Sequence, residues 1–135
     1  MSTILIATDA GWVWDEVDAA LADADTAVYR VRAGREVVEA VRRVRPELVV
    51  LDLQIGNMGG VAAALAVRQE QEMDRLPAAA ILMLLDREAD VFMAQTSGAE
   101  GWLIKPLDAF RIRRAAAALL AGGAWREGQG VEQSG

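Results

Sequence analysis

The chain has 135 residues, of which 53% are hydrophobic and 25% charged, and this length and composition are typical of one globular domain. Its net charge of −6 disfavours nucleic acid as a partner, because phosphate binding requires a basic surface. The absence of cysteine and histidine excludes disulfides, thiolate metal sites, cysteine nucleophiles and histidine bases.

Apolar runs alternate with segments of helical periodicity along the chain. The apolar runs predict five strands, at Thr3–Thr8, Thr26–Val31, Leu48–Leu51, Ala79–Leu85 and Gly101–Ile104. The periodic segments predict five helices, at Val13–Leu21, 34–45, Val61–Met73, Arg87–Ser97 and Ala109–Ala121. Gly98 is suited to end the fourth helix, and Asp108 to cap the start of the fifth. The alternation predicts an α/β fold with a doubly wound, five-stranded parallel sheet and helices on both faces.

The predicted domain covers residues 1–121. Residues 122–135 are rich in Gly, Gln and Glu around Trp125, and we expect them to form a flexible C-terminal tail. No apolar run approaches the roughly 18 residues that a membrane span needs. No signal peptide precedes the first apolar run, so we expect a cytoplasmic protein without membrane contact.

The third predicted strand ends in a carboxylate. Leu48–Leu51 is apolar without alternation, as in a strand buried on both faces of a parallel sheet, and Asp52 follows it directly. A loop with Gly56-Asn57 and Gly59-Gly60 comes next, and these residues tolerate positive φ angles. Ligands of open α/β sheets bind at the carboxyl ends of the strands, so Asp52 is a candidate site residue.

Other predicted strands end in polar residues too. Asp9 follows the first strand, Asp86 the fourth and Lys105 the fifth. Two carboxylates at neighbouring strand ends are suited to Mg²⁺, which prefers oxygen ligands. Lys105 is the only lysine among 14 basic residues, which favours a site for a compact positive charge that could hold a phosphoryl oxygen. For Asp9, a turn-capping role is the alternative.

The order and spacing of these residues resemble the receiver domain of response regulators in two-component signalling. The resemblance rests on Asp9, on Leu51-Asp52 with the glycine-containing loop 56–60, on Gly98-Ala99 and on Lys105-Pro106, and it extends from Thr3 to about Ala121.

The resemblance implies a role for each site residue. Asp52 would be phosphorylated, and Asp9, Asp52 and the backbone carbonyl of Gln54 would bind Mg²⁺. Lys105 would contact the phosphoryl group, before a cis peptide bond to Pro106. Leu85 and Trp102 occupy the positions of the family's switch residues.

It also implies partners. A histidine kinase would supply the phosphoryl group, and a protein partner would bind the face formed by Trp102 and the last helix. Trp102 is either an anchor for that partner or an ordinary packing residue. A homodimer is left open.

The sequence departs from the family pattern at two positions. Thr8 replaces the first of two adjacent acids, which should weaken Mg²⁺ binding because affinity follows the number of charged ligands. Leu85 replaces a Ser or Thr whose hydroxyl would follow the phosphoryl group, and a leucine side chain cannot form that hydrogen bond. We expect Asp86 to cap the fourth helix rather than to replace the lost acid.

Three functions are consistent with these residues. The first is a stand-alone receiver, phosphorylated on Asp52 with Mg²⁺, that signals by protein–protein contact and is not an enzyme. The second is a pseudo-receiver that binds its partner independently of phosphorylation, with Thr8 and Leu85 as marks of a lost switch. The third, a phosphohydrolase with Asp52 as nucleophile, is disfavoured because Gln54 stands where a second acid is needed.

Overall fold

The computed structural model describes residues 1–128, and residues 129–135 lie outside the described part. Six strands are present: β1 (Ser2–Ala7), β2 (Thr26–Val31), β3 (Leu48–Asp52), β4 (Ala80–Leu85), β5 (Gly101–Ile104) and β6 (Trp125–Arg126). The helices are α1 (Gly11–Leu21), α2 (Val37–Val44), α3 (Gly60–Glu72), α4 (Val91–Thr96) and α5 (Ala109–Leu120). Short 3₁₀ turns at Gly34–Glu36 and Glu88–Asp90 precede α2 and α4.

All strands pair in parallel, in the order β2-β1-β3-β4-β5-β6. The first five strands confirm the predicted doubly wound sheet. Its central strand β3 is buried along its whole length, as its unbroken apolar run requires.

Two apolar clusters lie on opposite faces of the sheet because neighbouring side chains of a strand point to opposite faces. Leu5 and Val49 contribute to the cluster beneath α2, α3 and α4, whereas Ile4 and Val50 contribute to the cluster beneath α1 and α5. This packing fixes the strands in register and thereby fixes where their carboxyl ends lie. Within residues 1–128, no helix has the length and apolar character needed to cross a membrane.

The predicted helix ends are also present. The Asp108 carboxylate accepts a hydrogen bond from the Arg111 backbone N–H at 2.8 Å and caps α5. Gly98, just after α4, has a φ of 78°, the left-handed conformation that commonly ends a helix.

The segment after α5 differs from the prediction of a flexible tail from residue 122. Trp125–Arg126 pairs with β5 as a sixth strand, because β5 would otherwise present unpaired backbone groups at the edge of the sheet. The prediction of a flexible tail is therefore wrong for Trp125 and Arg126. Residues 129–135 of that segment lie outside the described residues.

Candidate functional site

Polar residues from four strands meet at the carboxyl edge of the sheet. Thr8 and Asp9 follow β1, Asp52 ends β3, Asp86 follows β4 and Lys105 follows β5. These strands are neighbours in the order β1-β3-β4-β5, so their ends are adjacent. The structure thus brings together the residues that the sequence singled out.

Asp52 lies at the centre of this edge and is only 2% exposed. Its Oδ2 accepts a hydrogen bond from the Thr8 hydroxyl at 2.7 Å. Its Oδ1 accepts one from Lys105 Nζ at 2.9 Å and a longer one from the Gln54 backbone N–H at 3.3 Å. A buried carboxylate is costly unless it is paired and hydrogen-bonded, and these three donors meet that requirement.

Lys105 bridges two carboxylates. Its Nζ lies 2.9 Å from Asp52 Oδ1 and 2.8 Å from Asp86 Oδ1, and its side chain is 11% exposed. Burial alone would lower the pKa of Lys105, but the hydrogen bonds to Asp86 and Asp52 outweigh that effect and raise the pKa above its ordinary value. The ring of Trp12 lies 5.5 Å from the ammonium and adds a cation–π contact. Lys105 is therefore held as a cation beside Asp52.

The peptide bond between Lys105 and Pro106 is cis, as the family resemblance implied. The Lys105 backbone N–H donates to the Leu85 carbonyl at 2.8 Å and so ties the end of β5 to the end of β4.

Asp86 does not cap the fourth helix, contrary to our expectation. Asp90 Oδ2 instead accepts from the backbone N–H groups of Asp86 and Arg87 at 3.2 and 3.3 Å, just before the helix, and the first turn of α4 has no side-chain cap. The Asp86 side chain pairs with Lys105, across 19 residues of sequence. The sequence reasoning missed this contact because an acid before a helix is more often a cap.

Thr8 is fully buried and connects Asp52 to the loop after β1. Besides donating to Asp52, its hydroxyl oxygen accepts a hydrogen bond from the Ala10 backbone N–H at 3.1 Å. Its carbonyl accepts two from the Arg30 guanidinium, at 3.1 and 3.2 Å. Thr8, which departs from the family pattern, is therefore part of the site. It donates a hydrogen bond to Asp52 from the position where the family has the first of two adjacent acids.

Asp9 lies at the exposed rim of the site. Its Oδ2 accepts a hydrogen bond from the Gly56 backbone N–H at 3.0 Å, which connects the loop after β1 to the loop after β3. Within residues 1–128, no cluster of three or more His, Cys, Asp or Glu side chains is arranged to hold a metal ion. Asp9, Asp52 and the Gln54 carbonyl offer oxygen ligands of the type that Mg²⁺ prefers, with only two carboxylates among them.

The loop after β3 contains two non-glycine residues with positive φ, Asn57 at 53° and Met58 at 76°. The sequence indicated Gly56-Asn57 and Gly59-Gly60 as residues suited to positive φ, so Asn57 agrees with that prediction and Met58 was not anticipated. Hydrogen bonds hold the loop: the N–H groups of Gly34 and Arg35 donate to the carbonyls of Gly56 and Asn57, both at 2.9 Å. Strained loop residues often lie beside functional sites, and this loop follows Asp52 directly.

The two predicted switch residues are both buried. Leu85 belongs to the apolar cluster beneath α4, with Val91 and Ala94. Trp102 is 2% exposed, and its Nε1–H donates to the Glu127 carbonyl at 2.8 Å. Of the two interpretations of Trp102, packing is the one observed, because the chain's own C-terminal segment covers its indole N–H.

The comparisons with known proteins agree on one family. A family model described as the response regulator receiver domain matches residues 4–117. Protein PilH of Pseudomonas aeruginosa is 26% identical over 122 residues, which are 90% of this chain and all of PilH. The regulatory protein LuxO of Vibrio cholerae is 30% identical over 90 residues, which are 66% of this chain but only 19% of LuxO.

Solved structures show the same fold. A two-component response regulator of the LuxR family from Aurantimonas superposes with a TM-score of 0.79 at 25% identity. The match covers 93% of this chain and 89% of that one.

Proposed function

Because the chain belongs to the response regulator receiver domain family of two-component signalling, we propose that it accepts a phosphoryl group on Asp52 in the presence of Mg²⁺. The observation that supports this proposal is the buried Asp52 carboxylate with Lys105 Nζ at 2.9 Å, at the carboxyl edge of the sheet. A carboxylate is a nucleophile for phosphoryl groups, and a fixed cation beside it offsets the charge that the group brings.

The transfer moves the phosphoryl group from a donor, either a histidine kinase or a small acyl phosphate, to a carboxylate oxygen of Asp52. The donor's bond to phosphorus breaks as the Asp52–phosphorus bond forms. Lys105 would then pair with a phosphoryl oxygen while Asp86 keeps it positioned. Asp9, Asp52 and the Gln54 carbonyl would hold the Mg²⁺, whose chemistry is to neutralise charge on the transferred group.

The output of such a domain is a protein–protein contact, since a receiver is a signalling module and not an enzyme with its own substrate turnover. We assign the contact to the face formed by β5 and α5, beside Trp102. The proposed compartment is the cytoplasm, where a histidine kinase would meet the domain. A homodimer through the same face is compatible with this assignment.

One set of observations favours a second candidate, a pseudo-receiver that binds its partner without phosphorylation. Both Asp52 oxygens already have donors, from Thr8 and Lys105. Leu85 has no hydroxyl that could follow a phosphoryl group. In this alternative, Thr8 and Lys105 stabilise a single conformation, and the β5–α5 face is always in its binding state.

The test is to add acetyl phosphate with Mg²⁺, and separately beryllofluoride, to the purified protein. Intact mass reports the covalent adduct, and tryptophan fluorescence reports the response around Trp12 and Trp102. Asp52→Asn is the matched control, because it keeps the shape of the side chain and removes the nucleophilic charge.

A gain of one phosphoryl group on the wild type and none on Asp52→Asn would support the receiver. A matching change in fluorescence would show that the switch works without a hydroxyl at Leu85. No adduct and no fluorescence response to beryllofluoride would refute the receiver and leave the phosphorylation-independent module.

A further inference from the structure

The outer edge of β5 is covered by residues 125–128, which we call the C-terminal clasp. In the parallel pairing with β5, Trp125 lies beside Gly101 and Arg126 beside Trp102. The Arg126 guanidinium lies 6.0 Å from the centre of the Trp102 ring. The clasp therefore occupies the strand edge beside Trp102 that was assigned above to partner contact.

The clasp and β5 approach each other closely at both ends of their contact. A Cβ added to Gly101 would lie 2.6 Å from the Trp125 carbonyl oxygen, a distance that only a glycine allows. At the other end, a Cβ added to Gly128 would lie 2.2 Å from Ile104 Cδ1, and Gly128 has a φ of 62°. Glycine at position 101 thus lets the extended backbone of Trp125–Arg126 lie directly on β5, and Gly128 takes a left-handed conformation at the end of the clasp.

Glu127 fixes the clasp in this groove. Its Oε1 accepts hydrogen bonds from the Ile104 backbone N–H at 3.0 Å and from Arg111 Nη2. Its Oε2 accepts from Arg111 Nε at 2.9 Å and from Trp125 Nε1 at 3.0 Å. The carboxylate and the guanidinium form a two-point contact, the strongest type of side-chain pairing. Arg111 is oriented for this contact by Asp108 and by the carbonyls of Pro106 and Ile104.

The electrostatics agree with the geometry. Burial alone would raise the pKa of Glu127, but the hydrogen bonds from Arg111, Ile104 and Trp125 outweigh it and lower that pKa. Glu127 is therefore held as an anion in a groove whose cation is Arg111.

We propose that the edge between β5 and α5 is a recognition groove for an extended segment of the form Trp-x-Glu, and that the clasp closes this groove from within the same chain. The groove recognises four features of such a segment: a backbone that pairs with the edge of β5, a tryptophan that packs against the apolar cluster beneath α1 and α5, a carboxylate that pairs with Arg111, and a carbonyl that accepts from Trp102 Nε1. A partner with such a segment adds a strand to β5 only where the clasp has left. The clasp thereby competes with the partner and raises the partner concentration needed for binding.

The inference rests on the proposed function only in treating this face as the partner face. Closure of the groove by the clasp involves neither Asp52 nor a phosphoryl group. It is therefore measured in the absence of acetyl phosphate, beryllofluoride and Mg²⁺, so that its failure is distinct from a failure of phosphorylation.

The first experiment measures hydrogen exchange by NMR on the full-length chain. Glu127→Gln removes the charge that pairs with Arg111, and it should speed exchange of the Trp102 indole N–H and the Ile104 amide by about tenfold or more, since local opening controls such exchange. Glu16→Gln is the matched control, because it makes the same chemical change at an exposed position of α1 that takes no part in the clasp contacts. Gly101→Ala, which displaces the Trp125 backbone, should speed exchange of the same two groups.

The second experiment adds a synthetic peptide, Ala-Trp-Arg-Glu-Gly, with the sequence of residues 124–128. It should bind Glu127→Gln and slow the exchange of the Trp102 indole N–H again, and the peptide with Gln in place of Glu should bind at least about tenfold more weakly. Wild type should bind the peptide more weakly than Glu127→Gln does, because its groove is occupied.

Three outcomes would overturn the proposal. Unchanged exchange in both Glu127→Gln and Gly101→Ala would show that the clasp does not cover Trp102. Equal binding of the peptide to wild type and Glu127→Gln would show that the clasp does not close the groove. A wild-type dimer by light scattering, converted to monomer by Glu127→Gln, would show that the segment covers a second copy instead of its own chain.

Discussion

Thr8→Asp is the substitution that examines the candidate site most directly, because it places a second carboxylate against Asp52. The change removes the hydrogen bond from the Thr8 hydroxyl to Asp52 Oδ2, and a bond to a charged group contributes about 1.5–3 kcal/mol. Two charges about 4 Å apart repel by roughly 4 kcal/mol at an effective dielectric constant near 20. Lys105 offsets part of the repulsion, since it already pairs with Asp52. We therefore expect a net loss of about 3–5 kcal/mol in the free energy of unfolding without metal.

Mg²⁺ should return much of this loss, because the third carboxylate adds charge to the ligand set of Asp9 and Asp52. A cation present at about 100 times its dissociation constant stabilises the folded state by about 2.7 kcal/mol. Urea unfolding with EDTA and with millimolar Mg²⁺ measures both effects, for wild type, Thr8→Asp and the control Thr96→Asp at an exposed position of α4. The reasoning fails if Thr8→Asp is as stable as wild type in EDTA, or if Mg²⁺ stabilises all three proteins equally.

Three further changes examine neighbouring parts of the site. Because the pKa of Lys105 is raised in the folded protein, its ion pairs stabilise the fold fully below about pH 10.5, its ordinary pKa, and this stabilisation is lost as the pH rises through the higher folded value. Urea midpoints between pH 9 and 12 should therefore fall for the wild type and not for Lys105→Met, and the same pH dependence in both proteins would contradict this. Asp86→Asn should lower the free energy of unfolding by less than about 1 kcal/mol, because the Asp86 side chain is 37% exposed, and should move the alkaline fall of the urea midpoint to lower pH. A larger loss of stability would mean that Asp86 is a main ion-pair partner of Lys105 and not a minor one. Leu85→Thr should lower the free energy of unfolding by about 1–3 kcal/mol, because it places a hydroxyl in an apolar cluster, yet it should enlarge the fluorescence response to beryllofluoride. An unchanged response would show that the missing hydroxyl does not limit the switch.

The sheet and the positions of Asp9, Asp52 and Lys105 could be predicted from the sequence because each depends on a strong local signal. A buried parallel strand is an unbroken apolar run, and the residue that ends the run lies at the carboxyl edge of the sheet. Because the strands are buried on both faces, their pairing register is strongly specified. Correctly predicted strands therefore place their end residues correctly at the carboxyl edge of the sheet.

The missed features depend on contacts between side chains that are distant in sequence. An acid just before a helix predicts a cap, and only the adjacent ends of β4 and β5 show that Asp86 pairs with Lys105 instead. In the sequence, Thr8 is only a position where the family has an acid. Its hydrogen bond to Asp52 becomes visible only when the ends of β1 and β3 lie side by side in the fold.

The sixth strand was missed for a related reason. It has only two residues, Trp125 and Arg126, within a segment whose composition is typical of a tail. Its stability comes from Glu127 and Arg111, which are 16 residues apart. Trp125 was the one available signal, since aromatic residues are uncommon in unstructured segments.

The single lysine allows the state of the site to be followed by chemical labelling of amines. Lys105 supplies the only side-chain amine in the chain, and it is protonated, mostly buried and paired with two carboxylates. Amine-directed reagents require an accessible, neutral nitrogen, so on the folded protein they should modify the terminal amine of Met1 and spare Lys105. Any event that draws Asp52 or Asp86 away from Lys105 would change the labelling of one residue, and mass spectrometry could then follow the state of the site without an attached probe.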